Sequence, residues 1–193
     1  MLGRMDSPTW PLPVTVLEGG RIRLRPLREA DADNLVATST DPDTIRYSPL
    51  PDEYTRDTAL DYIRGAQDAS RAMIWAIELL DEPDSLAGVI ELRGVYPHAG
   101  YVDVGYRTAP WARGRGAAKE ALLLATRHAF THGCHRVELL AAVDNIASRR
   151  VAERCGFQFE GIARDREYLH GAYRDLAMYS LLSTDGDGDG AGE

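Results

Sequence analysis

Three basic residues and two glycines crowd into the run Arg113-Gly114-Arg115-Gly116-Ala117-Ala118-Lys119, a composition suited to an anion. The run follows a strand-like stretch, Tyr101 to Tyr106, and opens an apolar helical one, Ala121 to Ala125. A glycine-rich turn at a helix N-terminus leaves several backbone N–H groups without intrahelical partners. Those donors, with the positive end of the helix dipole, form a ready phosphate site. Gly114 and Gly116 remove side chains, so that a ligand can approach the backbone. Two familiar phosphate loops fail here. The string G-x-x-x-x-G-K-[ST] is absent, and counting G-x-G-x-x-G/A from Gly114 puts Lys119 at the third small position. What fits is arginine, two residues, glycine, one residue and a small residue: Arg113-x-x-Gly116-x-Ala118. Taken alone, such a loop could also merely turn the chain.

A second stretch narrows the choice. Arg136 to Asn145 reads as a strand ending in turn residues, and Ile146 to Gly156 as a short helix. Asp144 or Asn145 is placed to cap that helix, with Gly156 as its left-handed C-terminal residue. The string N-x-x-S, six residues, then C-G-F-x-x-E-G runs from Asn145 to Gly161. Together with Arg113-x-x-Gly116-x-Ala118, in that order and spacing, it closely resembles the GNAT acetyltransferase superfamily over roughly residues 20–183. Within that superfamily the chain is most similar to the ribosomal-protein N-terminal acetyltransferases of the RimJ/RimL type. The residues carrying this are Arg21-Ile22-Arg23-Leu24-Arg25-Pro26-Leu27, Asp31, Asp33, Val104-Gly105-Tyr106, the run Arg166 to Asp175, and Met178 to Leu182.

The resemblance implies an N-acetyltransferase that moves the acetyl group of acetyl-CoA to a primary amine. The acceptor would be a protein N-terminus or a small amine, attacking directly in a ternary complex. Acyl transfer to an amine needs a group to take the ammonium proton, donors to polarise the thioester carbonyl, and often an acid for the departing thiolate. By resemblance, the thioester lies between parallel strands ending near Tyr106 and Ala142. The backbone of Tyr106, Arg107 and Thr108 would meet the pantetheine and the thioester oxygen. Backbone donors of Arg113, Gly114, Arg115, Gly116, Ala117, Ala118 and Lys119 would hold the pyrophosphate. Asn145 matches the asparagine that hydrogen-bonds the pantetheine arm, and Ser148 a serine proposed as acid towards the CoA sulfur. Glu167, just before Tyr-Leu-x-Gly, matches the proposed general base, with Asp103 or Glu91 next in line.

Structural alternatives stand beside these roles. Ser148 could satisfy a backbone donor at its helix start, and Glu167 could be an ordinary carboxylate on an edge strand. Tyr168 and Tyr173 could line the acceptor site or simply pack. Other readings of the whole chain are a succinyl- or other acyl-CoA transferase, and a non-catalytic acyl-CoA-binding module. His128, His132 and His135 lie close in sequence, but the solvated end of a helix explains them better than a metal does. No metal is expected.

The elements that must position these residues follow from periodicity and breakers. A strand spans 21–28 and a helix 30–40, and Pro42, Pro49 and Pro51 turn 41–56 into loop. Thr55 caps a helix to about Arg71. Met73–Leu80 and Leu86–Val95 form a hairpin, and strand 101–108 leads through the glycine loop into a helix ending near His132. Strand 136–142, helix 147–155 and strands 157–167 and 173–182 complete an α/β (mixed α+β) layout. The resemblance implies that its central sheet is mixed, mostly antiparallel, of about seven strands flanked by helices, the GNAT acyl-CoA N-acyltransferase fold. Residues 1–19 form an extended, loosely held arm, 20–183 the catalytic domain, and 184–193 a disordered Gly/Asp tail. The repeat from Asp185 to Gly190 resembles the opening of a calcium loop but stops short of its final glutamate.

Bulk properties set the outer bounds. The 193 residues are 44% hydrophobic and 27% charged, ordinary for one globular domain. A net charge of −8 argues against nucleic acid and suits a cationic acceptor. No apolar run is long enough to span a bilayer. Cys134 and Cys155 read as buried thiols in a reducing cytoplasm rather than as a disulfide. The resemblance is compatible with a homodimer, for which the sequence itself carries no feature.

Overall fold

The computed structural model describes residues 10–51, 53–68 and 72–185. The strands are β1 (Leu17–Glu18), β2 (Ile22–Pro26), β3 (Ala72–Leu79), β4 (Gly88–Tyr96), β5 (Tyr101–Thr108), β6 (Arg136–Ala142), β7 (Gln158–Leu169) and β8 (Ala172–Leu182). They form one sheet in the order β1-β2-β3-β4-β5-β6-β8-β7. Neighbours run antiparallel except β5 and β6. The helices are α1 (Ala32–Ser39), α2 (Pro42–Arg46), α3 (Arg56–Gly65), α4 (Ala117–Thr131) and α5 (Ile146–Arg154).

Successive side chains on a strand point to opposite faces, and this sheet is buried on both. Ile90 and Leu92 of β4, with Val102 and Val104 of β5, pack under Ala121, Leu122 and Ala125 of α4. The alternate β4 residue Val89, with Ile74 and Ala76 of β3, packs under Leu35 of α1 and Ala59 and Ile63 of α3. Burying a Leu or Ile fully is worth about 1.5–3 kcal/mol, so each face is an independent reason for the register. Small residues on α4 bring that helix close to the sheet. Glu120 of α4 ties the link to β2, accepting from the backbone N–H groups of Gly20 and Arg21. Arg25 and Asp31 form a buried two-point ion pair, both contacts at 2.8 Å, which fixes the turn from β2 into α1.

One irregularity of this sheet creates the site. The parallel strands β5 and β6 pair only at Tyr101–Arg136, Val102–Val137 and Asp103–Glu138. Beyond that they diverge. Gly105 to Thr108 remain bonded to β4, and Leu139 to Ala142 remain bonded to β8. A slot therefore opens through the middle of the sheet.

Several expectations change. The expected sheet gains an eighth strand, β1, inside what reads as a free arm. From Trp10 on that arm is held: Leu12 is 1% exposed, Trp75 Nε1 donates to the carbonyl of Thr15 at 2.9 Å, and Leu17 pairs with Leu24. Its prolines preclude regular structure but not apolar burial. Within the 41–56 loop lies the one-turn helix α2. Asp41 accepts from the Thr44 N–H at 2.9 Å and Pro42 takes the first helical position, a start signal legible in Asp-Pro. Helix α3 is capped by Thr55 as expected but ends at Gly65. His128 is not at a solvated helix end. It is 7% exposed, stands edge-on to Trp75 at 5.6 Å and donates from Nε2 to the Pro13 carbonyl at 2.9 Å. Burial, with His132 nearby, holds its pKa below the usual value, so a neutral ring packs there. His132 does act at the helix end, donating from Nδ1 to the His128 carbonyl at 2.8 Å. The calcium-like repeat lies, apart from Asp185, outside the described residues.

Candidate active site

Two cavities meet at the slot. On the α4 side, a groove of about 630 Å³ runs along the glycine loop, the end of β5 and the start of α5. On the α3 side, a cavity of about 590 Å³ lies under residues 47–51, Tyr54 and Tyr62. Tyr47, Ser48, Tyr106, Arg107, Asn145 and Ser148 line both.

The groove is built from backbone. Gly116 is the N-terminal cap of α4 with φ 82°, and Gly114 has φ 75°, a region that L side chains rarely adopt. A Cβ at either would meet nothing within 4 Å, so both face an open cradle at a helix N-terminus. That geometry fits a pyrophosphate. The loop's arginines are less available than their charge suggests. Arg113 Nη1 donates to Asp43 at 3.1 Å, and Nη2 donates to Asp41 and to Thr44 Oγ1. Burial alone would raise the Asp41 pKa, but the Arg113 and Thr44 hydrogen bonds outweigh it and hold the carboxyl below its usual range. Arg115 donates to Asp81 at 2.6 Å and lies over the Trp111 ring at 5.8 Å. Lys119 and Arg154 line the groove with no ion pair among the described residues.

At the junction, Asn145 is the cap of α5. Its Oδ1 accepts from the Ser148 N–H at 3.1 Å. The Ser148 hydroxyl is thereby free of the capping role that its position allowed, and it lies 3.1 Å from the Tyr106 hydroxyl. Burial pushes the Tyr106 pKa up to about 12 against the pull of Ser148, so the phenol keeps its proton at neutral pH. The pair forms a short chain of exchangeable protons facing both cavities.

The α3-side cavity is built from side chains. Asp61, Glu91 and Glu167 line it, with Arg93 of β4 reaching across to β5. Arg93 grips Asp103 through Nε at 3.0 Å and Nη2 at 2.7 Å, and reaches Glu91 through Nη1 at 2.9 Å. Burial opposes the charge on Arg93, yet these carboxylates, Glu167 among them, raise its pKa. Gly105 leaves room for this pair, since a Cβ there would come within 3.2 Å of Arg93 Nη2. Glu167 has no hydrogen bond or ion pair among the described residues and is the less encumbered carboxylate. Asp103 does not line the cavity and is locked by Arg93. Tyr168 and Tyr173 pack on each other at 5.1 Å, 63% and 65% exposed, and reach neither cavity. Both cysteines are buried, with thiol pKa values pushed up to about 11 by burial, against the pull of Lys119 at Cys155.

The profile of the acetyltransferase (GNAT) domain matches residues 21–158. The chain belongs to the GNAT acetyltransferase family. As a family member it is an acyltransferase, and the GNAT family uses acetyl-CoA. It is 27% identical over 171 residues to an uncharacterised N-acetyltransferase, YoaA, of Bacillus subtilis, covering 86% of this chain and 96% of that one. It is 31% identical over 105 residues to the ribosomal-protein-serine acetyltransferase of Escherichia coli, covering 54% and 59%. The fold matches that of RimL, a ribosomal L7/L12 α-N-protein acetyltransferase solved with coenzyme A, with TM-score 0.77 and 24% identity over 87% of this chain and 98% of that one. Among the described residues no helix is long and apolar enough to cross a membrane, and no group of three or more His, Cys, Asp or Glu is placed to hold a metal.

The cavities gather residues that sequence reasoning named together and some that it missed. Tyr47, Tyr54, Tyr62 and Arg93 carry no motif. Only the period-two spacing of Val89, Glu91 and Arg93 hinted that these three share a face. Of the 41–56 loop, residues 47–51 and Tyr54 line the α3-side cavity.

Proposed function

We propose that this chain transfers the acetyl group of acetyl-CoA to the primary amine of a small molecule or a peptide N-terminus. The observation that carries this is the slot between β5 and β6, which joins a phosphate-accepting groove to a carboxylate-lined cavity. Bound in the groove, acetyl-CoA supplies an acyl group activated as a thioester. Backbone N–H groups from Arg113 to Lys119 hold its pyrophosphate, and the unpaired backbone edge of Tyr106 to Thr108 lies beside its pantetheine. Asn145 orients the arm with its amide nitrogen, its oxygen being engaged by Ser148. The acceptor enters from the α3 face. Glu167 takes the ammonium proton, directly or through water, so that the nitrogen lone pair can attack. As the new C–N bond forms and the C–S bond breaks, Ser148, backed by Tyr106, donates a proton to the departing thiolate, and the proton shed by the new amide nitrogen restores the hydroxyl through water.

Incubating the full chain with acetyl-CoA and a panel of amines and short peptides should give products heavier by one acetyl group, with stoichiometric free thiol. If no acceptor in a broad panel gains mass while CoA still binds, the transferase reading falls.

A further inference from the structure

The acceptor cavity has two electrically different ends. At one end stand Glu91 and Glu167, with Arg93 already engaged by Glu91 and Asp103, while Asp61, the third carboxylate of the lining, is exposed and paired with Arg64. At the other stands Arg107, which has no carboxylate partner among the described residues. Its guanidinium lies over the Tyr62 ring at 4.9 Å, and its Nε and Nη2 are shielded from solvent without a hydrogen-bond acceptor. Among the described residues the Tyr54 hydroxyl is buried without a partner, and the Tyr62 hydroxyl is buried with only the Arg107 guanidinium, itself a donor, acting on it. A buried donor without an acceptor is unfavourable. Arg107, Tyr54 and Tyr62, the residues that carry these four atoms, all line one cavity, which favours a ligand that brings hydrogen-bond acceptors. Register places the two ends close: Glu91 pairs with Gly105, two residues before Arg107 on the same face. That is about 7 Å along the strand.

We propose that the acceptor is an amine that also carries a carboxylate. Arg107, with the hydroxyls of Tyr54 and Tyr62, receives the carboxylate, while the amine points towards Glu91 and Glu167. A polyamine fits this cavity poorly, because its second ammonium would meet a guanidinium and leave the three donor groups unsatisfied. The local charge pattern thus reverses the preference that the net charge of the whole chain suggested. This assignment of acceptor class rests on the acetyltransferase reading.

The test compares matched acceptors differing only in charge: 4-aminobutanoate against its amide, and alanyl-aspartate amide against alanyl-asparagine amide, with spermidine as the polyamine. In the wild-type chain kcat/KM should favour the carboxylate member of at least one pair by about tenfold or more, the scale of a charge-assisted hydrogen bond. The pair that shows the preference tells a small amino acid from an acidic peptide. Arg107→Gln should bring the ratio within a pair close to one. The double variant Tyr54→Phe and Tyr62→Phe removes only hydroxyls and should shrink the ratio, which keeps the test open if Arg107→Gln does not fold. Calorimetry on the CoA-loaded chain provides a second readout, in which the carboxylate member should bind more tightly in wild type only. Equal ratios in both pairs, or spermidine as the best acceptor, would overturn the proposal. If no amine is acetylated the transferase reading fails on its own, and the calorimetric preference still decides whether Arg107 holds a carboxylate.

Discussion

The groove on the α4 face and the cavity on the α3 face are built from different materials. The groove presents backbone: two glycines at positive φ, a helix N-terminus and a strand edge without a partner. The cavity presents side chains from α3, β4, β5, β6, β7 and the 47–51 loop. Backbone donors are the same whatever the neighbouring side chains, so they suit a ligand common to many enzymes. Side chains can be exchanged singly, so they suit an acceptor that differs from one enzyme to the next. Recognition of the shared and of the particular is thereby split between the two faces of one sheet.

If that division is right, a side-chain change in the cavity should cost turnover and spare cofactor binding. Glu167→Gln is the strongest case. Turnover should fall about a hundredfold or more at neutral pH, the usual range for a positioned base. Acetyl-CoA affinity should hardly move, and activity should recover partly as pH rises and more acceptor is already deprotonated. Wild-type turnover across the pH range would remove Glu167 and make Glu91, which lines the same cavity, the next base to test.

The converse change is Gly116→Glu, which strains the loop backbone at φ 82° and adds a carboxylate at the cradle. CoA affinity should drop at least tenfold, about 1.4 kcal/mol, by calorimetry on protein shown to be folded. Unchanged affinity would break the comparison at its backbone half. Ser148→Ala sits at the junction and should lower turnover by about fivefold to tenfold, a hydrogen bond of about 1–1.4 kcal/mol. Because Asn145 supplies the cap, its melting temperature should stay near wild type. Asn145→Ala, by contrast, should cost about 1 kcal/mol of stability.

Arg113→Ala sharpens the point about backbone. Its guanidinium is engaged by Asp41, Asp43 and Thr44, so removing it should weaken CoA binding by about fivefold at most, within the range of exposed ion pairs. A larger loss than that of Gly116→Glu would mean that side-chain charge, not backbone, holds the phosphate. The smallest effect belongs outside both cavities. The Arg136 hydrogen bond, against burial and with help from Ser180, holds the Glu160 pKa down to about 2. A depressed carboxyl contributes stability that is fully present above its unfolded value and is lost as pH falls towards 2. Glu160→Gln should therefore cost below about 1 kcal/mol at pH 7, since this carboxylate is 37% exposed. The difference from wild type should shrink on acid titration, with turnover per folded molecule unchanged.

How much of this was legible beforehand follows from the same division. The glycine loop and the N-x-x-S run are local, so spacing alone placed Gly114, Gly116, Asn145 and Ser148 at helix starts. The strand-and-helix order was equally legible, because alternation and breakers act within a few residues. The one-turn helix α2 escaped notice because three prolines nearby argued for loop, although Asp41-Pro42 carried its start signal. The burial of the arm and of His128 could not be read at all, since nothing near Leu12 or His128 in sequence announces Trp75 as a neighbour.

The sequence by itself determined the family, the element order and the backbone cradle, because each rests on contacts between residues close along the chain. Only the tertiary structure decided the cavity on the α3 face. It brought Tyr62 against Arg107, which follows it by more than forty positions, and gathered Tyr54, Glu91 and Glu167 of the last hairpin around the same cavity. What opens it is the divergence of β5 from β6 after three paired residues, strands that stand some thirty positions apart in sequence. A side chain's charge is written in the sequence, but whether a partner neutralises it depends on which elements fold against it. That is why Arg113, prominent in its motif, is engaged by carboxylates, and Arg107, outside the motif's charged positions, stands without one among the described residues.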